Sequence, residues 1–192
     1  MKHIPGLTLI LLFIMSYSDA QINHDARIQH FLLEQNGNFP NNSELPVLVY
    51  RNIFEFGSGD PAKLIEDVLG ANNWGSGWRN GIYNFHHYHS TAHEALGVYS
   101  GWAEVQLGGE GSDIVRIEKG DLVVLPAGTA HKRIDSGDGF AVVGVYPDGQ
   151  NWDMNYGKAK EVQAAKENIP GVALPSKDPV FGENGKMFQH WK

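Results

Sequence analysis

From Ile82 to Gly149 the chain runs in short stretches of apolar and polar residues broken by Gly, Asp or Pro. The stretches are "IYNFHHYH", "EALGVYSGWAEVQLGG", "DIVRIEKGDLVVLPAG" and "GFAVVGVYPDG". Alternation between such breakers predicts antiparallel strands, with turns at Lys119–Gly120 and Asp135–Gly139. Upstream, "LPVLVY" (Leu45–Tyr50) predicts an edge strand. One segment has a helical period instead. In "GDPAKLIEDVLG", Asp60 is placed to cap, Pro61 suits the first helical position, and Leu64, Ile65, Val68 and Leu69 form one apolar face ending at Gly70. The following "NNWGSGWRNG" reads as a turn-rich loop carrying Trp74, Trp78 and Arg79. After Pro147 the alternation stops. "KAKEVQAAKENI" predicts a short helix, and the tail from Pro170 carries Val172, Leu174, Val180, Phe181 and Trp191, enough apolar anchors for an ordered wrap. With no internal repeat, the pattern predicts one all-β unit with strands over about 45–150 and a helix and tail over 151–192.

The first twenty residues stand outside that pattern. Lys2 and His3 precede an apolar run from Ile4 to Met15, and Ser18 and Ala20 stand three and one residues before a cleavage point. This is the layout of an export signal, and the run is too short to span a bilayer comfortably. The expectation is cleavage after Ala20 and a secreted or periplasmic domain over 21–192. Removing residues 1–20 takes out one base, Lys2, and one acid, Asp19, so the net charge stays at −7. An acidic chain without a basic run argues against nucleic acid and against an anionic membrane surface as partners. The absence of cysteine excludes disulfides, thiolate metal sites and cysteine nucleophiles.

The chemistry concentrates in "GIYNFHHYHSTAHEALGVYSG" (81–101), where four histidines fall within eight positions. On a strand, His87 and His89 share a face with Tyr83 and Phe85, while His86 and Tyr88 look the other way. A turn at Ser90–Ala92 would return the chain so that Glu94, or His93 with a turn one residue tighter, stands beside the pair. Two imidazoles and a carboxylate suit a transition metal. A further ligand candidate, His131, follows the Pro126–Gly128 turn in "GDLVVLPAGTAH". Arg79 has the parity of Tyr83 and Phe85 and could hold a carboxylate or serve as a surface ion pair. Trp78 reads as rim or core, and Tyr146 as a pocket hydroxyl. There is no Gly-x-Ser-x-Gly elbow, Gly-x-Gly-x-x-Gly, P-loop or His-Glu-x-x-His.

The spacing resembles the cupin superfamily. The first cupin motif matches Gly81, His87, His89, Glu94 and Gly101, and the second matches Gly120, Pro126, Gly128 and His131. Asp135 stands where the second motif has Asn, a position that is not a metal ligand in that family. The gap between motifs is 18 residues, Trp102 to Lys119. The wider stretch, with "PAGTAHKR" and "VVGVYPDG", is similar to the small YjlB-like bacterial cupins, a group without an assigned reaction and usually without an export signal.

The resemblance implies an antiparallel jelly-roll barrel, with the helix and the C-terminal tail outside it. It implies His87, His89, Glu94 and His131 as metal ligands, with His93, Arg79, Tyr83, Phe85 and Tyr146 around the site. Three nitrogens and one oxygen on a six-coordinate ion leave two open positions, which favours Fe or Mn over Zn; Ni and Cu are accepted by the same donors. The implied function is metal-dependent oxygenation or isomerisation of a small polar molecule. The alternative is a non-catalytic extracytoplasmic module that binds a small molecule or sugar around a structural metal. The superfamily's habit of pairing also allows a homodimer.

Overall fold

The runs "VLVY" and "LVVL" are apolar at every position, which in a strand demands cover on both faces. The computed structural model, which describes residues 21–192, supplies that cover. Among the described residues the elements are β1 (Gln21–Ile22), β2 (Ile28–Phe31), β3 (Val47–Tyr50), β4 (Phe54–Glu55), α1 (Pro61–Ala71), β5 (Trp74–Asn80), β6 (Glu94–Leu107), β7 (Ile114–Glu118), β8 (Leu122–Leu125), β9 (His131–Pro147) and α2 (Val162–Asn168). The expected export segment, residues 1–20, lies outside the described residues.

One antiparallel sheet holds seven strands in the order β2-β3-β8-β6-β9-β5, and β7 also pairs with β6. The two long strands organise it. β6 pairs with β9 from Ala95↔Val145 to Leu107↔His131, and its other edge is shared by β8 near Glu94 and by β7 near Trp102. Long strands that change partners along their length roll the sheet into an antiparallel jelly-roll barrel. Register shifts between Val98 and Trp102 bend β6 as it turns the corner. Gly101 sits there at φ +62°, where a Cβ would collide with the Gly137 carbonyl oxygen.

Alternation then divides the core. Val47, Val49, Leu96, Val98, Val123 and Leu125 fill the barrel interior. Leu48, Tyr50, Ala95, Leu122 and Val124 face outward under α1 and the C-terminal segment. Ile65 of α1 lies so close to Gly97 of β6 that a side chain there would overlap it. The tail is clasped by Asp178, fully buried, which accepts hydrogen bonds from the Tyr50 hydroxyl and from the backbone N–H groups of Val180, Phe181 and Met187. The Trp191 indole donates to the Pro46 carbonyl at 2.8 Å.

Several elements differ from the sequence expectation. Leu45–Tyr50 contains an interior strand, with β2 on one side of it and β8 on the other, so it is not an edge. The glycine-rich "NNWGSGWRNG" supplies β5, which reaches β9 across a bulge between Gly75 and Trp78. Glycine marks that bulge and does not break the strand. With β5 occupying the ladder next to β9, "IYNFHHYH" is left with single bridges at His87 and Tyr88. Asp135–Gly139 is an irregular stretch within β9, with Asp138 and Gly139 at positive φ. Helix α1 runs one residue past Gly70, and the downstream helix is a 3-10 turn at Ala159–Glu161 leading into α2.

Candidate functional site

Glu94 opens β6 with the parity of Leu96 and Val98, so its carboxylate enters the barrel. His93, one residue earlier, has the opposite parity. Its ring packs against Trp191 at 4.8 Å with 51° between the planes, and its Nδ1 accepts from the Ala127 N–H. The choice between these neighbours is therefore made by the face of the sheet, and His93 packs under the tail, away from the pocket. His131 opens β9. The segment carrying His87 and His89 is hung on it by two backbone hydrogen bonds, His87 N to His131 O at 3.2 Å and His131 N to His87 O at 3.0 Å. The Gly128 N–H also donates to the His89 carbonyl at 2.7 Å. Gly128 is at φ +95°, and a Cβ there would run into the Asn41 carbonyl and Ile169, which explains the glycine in this turn.

The ring nitrogens share one arrangement. Nδ1 of His87 faces the Phe85 carbonyl at 3.3 Å, Nδ1 of His131 faces the Thr129 carbonyl at 3.0 Å, and Nδ1 of His89 faces the Asp153 carbonyl. A carbonyl only accepts, so each Nδ1 carries the proton and each neutral ring offers its Nε2 lone pair. Nε2 of His131 lies 3.5 Å from Glu94 Oε2, and Nε2 of His89 lies 3.6 Å from it. The His87 and His131 ring centroids are 4.1 Å apart. Glu94 Oε2 is buried without a hydrogen-bond partner, while Oε1 accepts from the Tyr146 hydroxyl at 3.3 Å. Burial pushes His87 down to about 4 and His131 well below the usual imidazole range, with the neighbouring histidines adding to the shift. Burial raises Glu94, against the pull of His89 and Tyr146. The enclosure thus disfavours charge on its own donors.

Among the described residues no group of three or more His, Asp or Glu side chains stands close enough together to hold a metal ion as it is. The separations of 3.5 and 3.6 Å are somewhat wider than the ~3 Å that donors ~2.1 Å from one ion keep at right angles. The donor chemistry nevertheless fits a metal: three fixed Nε2 lone pairs and one orphaned carboxylate oxygen meet at one pocket.

That pocket, of about 290 Å³, is also lined by Trp78, Tyr83, Leu96, Tyr146, Trp152 and Met154. Trp78 faces inward, against Gly144, where a side chain would overlap the indole. Its N–H donates to the Tyr146 hydroxyl at 3.3 Å. Burial, with Glu94 next, holds the Tyr146 phenol above its ordinary range.

Arg79 is among the residues that border this space, but its guanidinium is turned to α1. It pairs across the ladder with Val143, on the α1 side, and its guanidinium grips Glu66 through two 2.7 Å contacts and Asp60 at 3.1 Å. The shared parity with Tyr83 fails because the strand ends at Asn80. Tyr83 lines the pocket, whereas Phe85 stacks on Tyr83 outside it and touches His87 only edge-on. His86 faces away, hydrogen-bonded to Gln106. Sequence reasoning missed Trp152, Met154 and Asp153. They lie in "NWDMN", whose only signal was two large apolar residues in a polar stretch. Asp153 fixes this segment through its carboxylate to Ser90 and Thr91 while its carbonyl meets His89.

A jelly-roll barrel with His-x-His, a Glu and a distant His gathered at its mouth defines the chain as a cupin-like protein. No family model matches it. It is 34% identical over 163 residues to the uncharacterized protein YjlB of Bacillus subtilis (strain 168), covering 85% of this chain and 96% of YjlB. The chain belongs to the YjlB family. It is also similar to a solved DUF861 family protein from Thermotoga maritima, with 28% identity, 47% of this chain and 92% of that one covered, and a TM-score of 0.29. A double-stranded β-helix protein from Klebsiella pneumoniae has 15% identity, 80% and 99% coverage, and a TM-score of 0.33.

Proposed function

We propose that this chain is a metal-binding cupin in which His87, His89, Glu94 and His131 hold Fe or Mn, and that it is an enzyme converting a small molecule by oxygenation or isomerisation. One observation carries the reading: Nε2 lone pairs of histidines with fixed tautomers border the unpartnered Oε2 of Glu94 at the closed end of a pocket. A bound ion would supply Lewis acidity or a template for dioxygen. The chain's own residues do the rest. The carbonyls of Phe85, Thr129 and Asp153 set the imidazole orientations. Tyr146 holds Oε1 of Glu94 and turns Oε2 to the histidines, and its hydroxyl is a proton-bearing group at the inner end of the pocket. Trp78 and Leu96 exclude water from that end. With residues 1–20 removed on export, the site would work in a secreted or periplasmic chain.

The test is elemental analysis of the untagged protein with His131→Ala as control. Near-stoichiometric Fe or Mn, reduced at least tenfold in the variant, is the expected result. Protein that takes up no metal under any loading condition refutes the proposal. Metal-replete protein that leaves phenols, sugars and small acids unaltered refutes the enzymatic half of it.

A further inference from the structure

The wall of the pocket carries information that the metal ligands do not. It is built from rings: Trp78, Tyr83, Tyr146 and Trp152, with Leu96 and Met154 between them. Tyr146 and Trp152 stack at 5.9 Å with 23° between their planes, and the Trp152 ring is 5.4 Å from His89. Tyr83 meets His87 edge-on at 5.1 Å. Tyr83 and Trp152 are 51% and 48% exposed, whereas Tyr146 is buried. Tyr83 and Trp152 therefore leave open ring surface at the pocket beside His87 and His89, available to a ligand.

The charges point the same way. Among the described residues no lysine lines the pocket, and Arg79, which borders it, has its guanidinium paired with Glu66 and Asp60. The acidic side chain within is Glu94, buried with its Oε2 unpartnered. A carboxylate or phosphate ligand would place a second acid beside it with no unpaired protein cation to offset its desolvation. A flat, neutral molecule with apolar faces would instead cover the exposed ring surface.

We propose that the pocket selects a small neutral aromatic hydroxyl compound, a phenol-type ring, with its faces against Trp152 and Tyr83 and its hydroxyl toward Glu94 and the histidines. This rests on reading those residues as the reacting end of the pocket. The volume of about 290 Å³ limits the ligand to a small ring system.

Phenol and succinate are titrated into the protein, first in chelator and then with Mn(II), and followed by saturation-transfer NMR. The metal content of each sample is measured in parallel. Phenol is expected to bind with the metal removed, and succinate at least tenfold more weakly. Trp152→Ala weakens phenol about tenfold, and Trp152→Phe restores most of the loss. Because Trp152 is half exposed, neither variant should shift the thermal midpoint appreciably. No phenol binding, succinate binding as tight as phenol in chelator, or phenol binding indifferent to Trp152→Ala overturns the proposal. Since these readings are made without metal, they fail or succeed separately from the metal analysis.

Discussion

Glu94→Gln should move two properties of the protein in opposite directions. Glu94 is buried, its Oε2 has no donor, and Nε2 of His89 and His131, at 3.6 and 3.5 Å, present lone pairs to it. An amide keeps the shape, removes the charge, and turns an N–H donor toward two acceptors. A buried polar group left unsatisfied costs ~1–3 kcal/mol, so the metal-free variant should gain stability of that order. For a domain of this size each kcal/mol raises the thermal midpoint by ~2–4 °C, which makes the gain several degrees. Metal binding should respond the other way. A ligand at a thousand times its Kd stabilises by ~4 kcal/mol, and removing the anionic donor should abolish most of that rise. The assay is thermal denaturation of both proteins in chelator and in excess Mn(II). If Glu94→Gln melts below the parent protein in chelator, the carboxylate is not a stability cost. If it keeps the full metal-induced rise, Glu94 is not a ligand. Either result refutes the reasoning.

The tail clasp should be equally exposed to substitution. Asp178→Ala leaves the Tyr50 hydroxyl and three N–H groups without their acceptor and should cost about 3 kcal/mol or more in urea unfolding; a loss under 1 kcal/mol would mean that the tail is held by apolar contacts alone. Acid should weaken the metal-free fold. Burial holds His87 and His93 at about 4, so between pH 6.5 and 4 the unfolded chain binds more protons than the folded one, and stability falls as pH falls through that window. By pH 5 each group has removed about 2 kcal/mol. Glu94, raised by burial, acts in the opposite sense, but His131 adds to the histidine side. Urea midpoints in chelator that do not drop from pH 7 to pH 5 would contradict this assignment.

The spacing of His87, His89, Glu94 and His131 was legible because each is pinned by a local rule. The histidine pair differs by two residues, Glu94 follows a short turn, and His131 follows a turn that needs Gly128. All four line one pocket. The reading weakened wherever a side chain's direction depended on a strand boundary. A period of two across Asn80–Gly81 puts Arg79 on the face of Tyr83, but the strand ends there and parity resets. Glycines concealed β5, because a bulged strand and a loop share the same composition. Trp152, Met154 and Asp153 gave no period at all. Their positions follow from Asp153 gripping Ser90 and Thr91, some sixty residues away.

The step from His93 to Glu94 shows how the fold makes a demanding site tolerable. Consecutive residues at the entry to β6 serve opposite faces. Glu94 is turned into the barrel, where its Oε2 is unpartnered, and His93 is turned out to Trp191, whose indole is anchored on Pro46. The outward face, clasped by Asp178 and covered by α1, is closely packed, although Nε2 of His93 is itself buried without a partner, so the inward carboxylate sits on a strand held from behind. The gap beside Oε2 also has a meaning. At 3.5 and 3.6 Å the His131 and His89 nitrogens are too far for the short contact that a strongly shared proton requires. A proton would therefore relieve Glu94 by neutralising it but would not tie the donors together. A cation coordinated by the carboxylate and the imidazoles at once would satisfy both, and that difference is what the opposite responses of Glu94→Gln in chelator and in Mn(II) would measure.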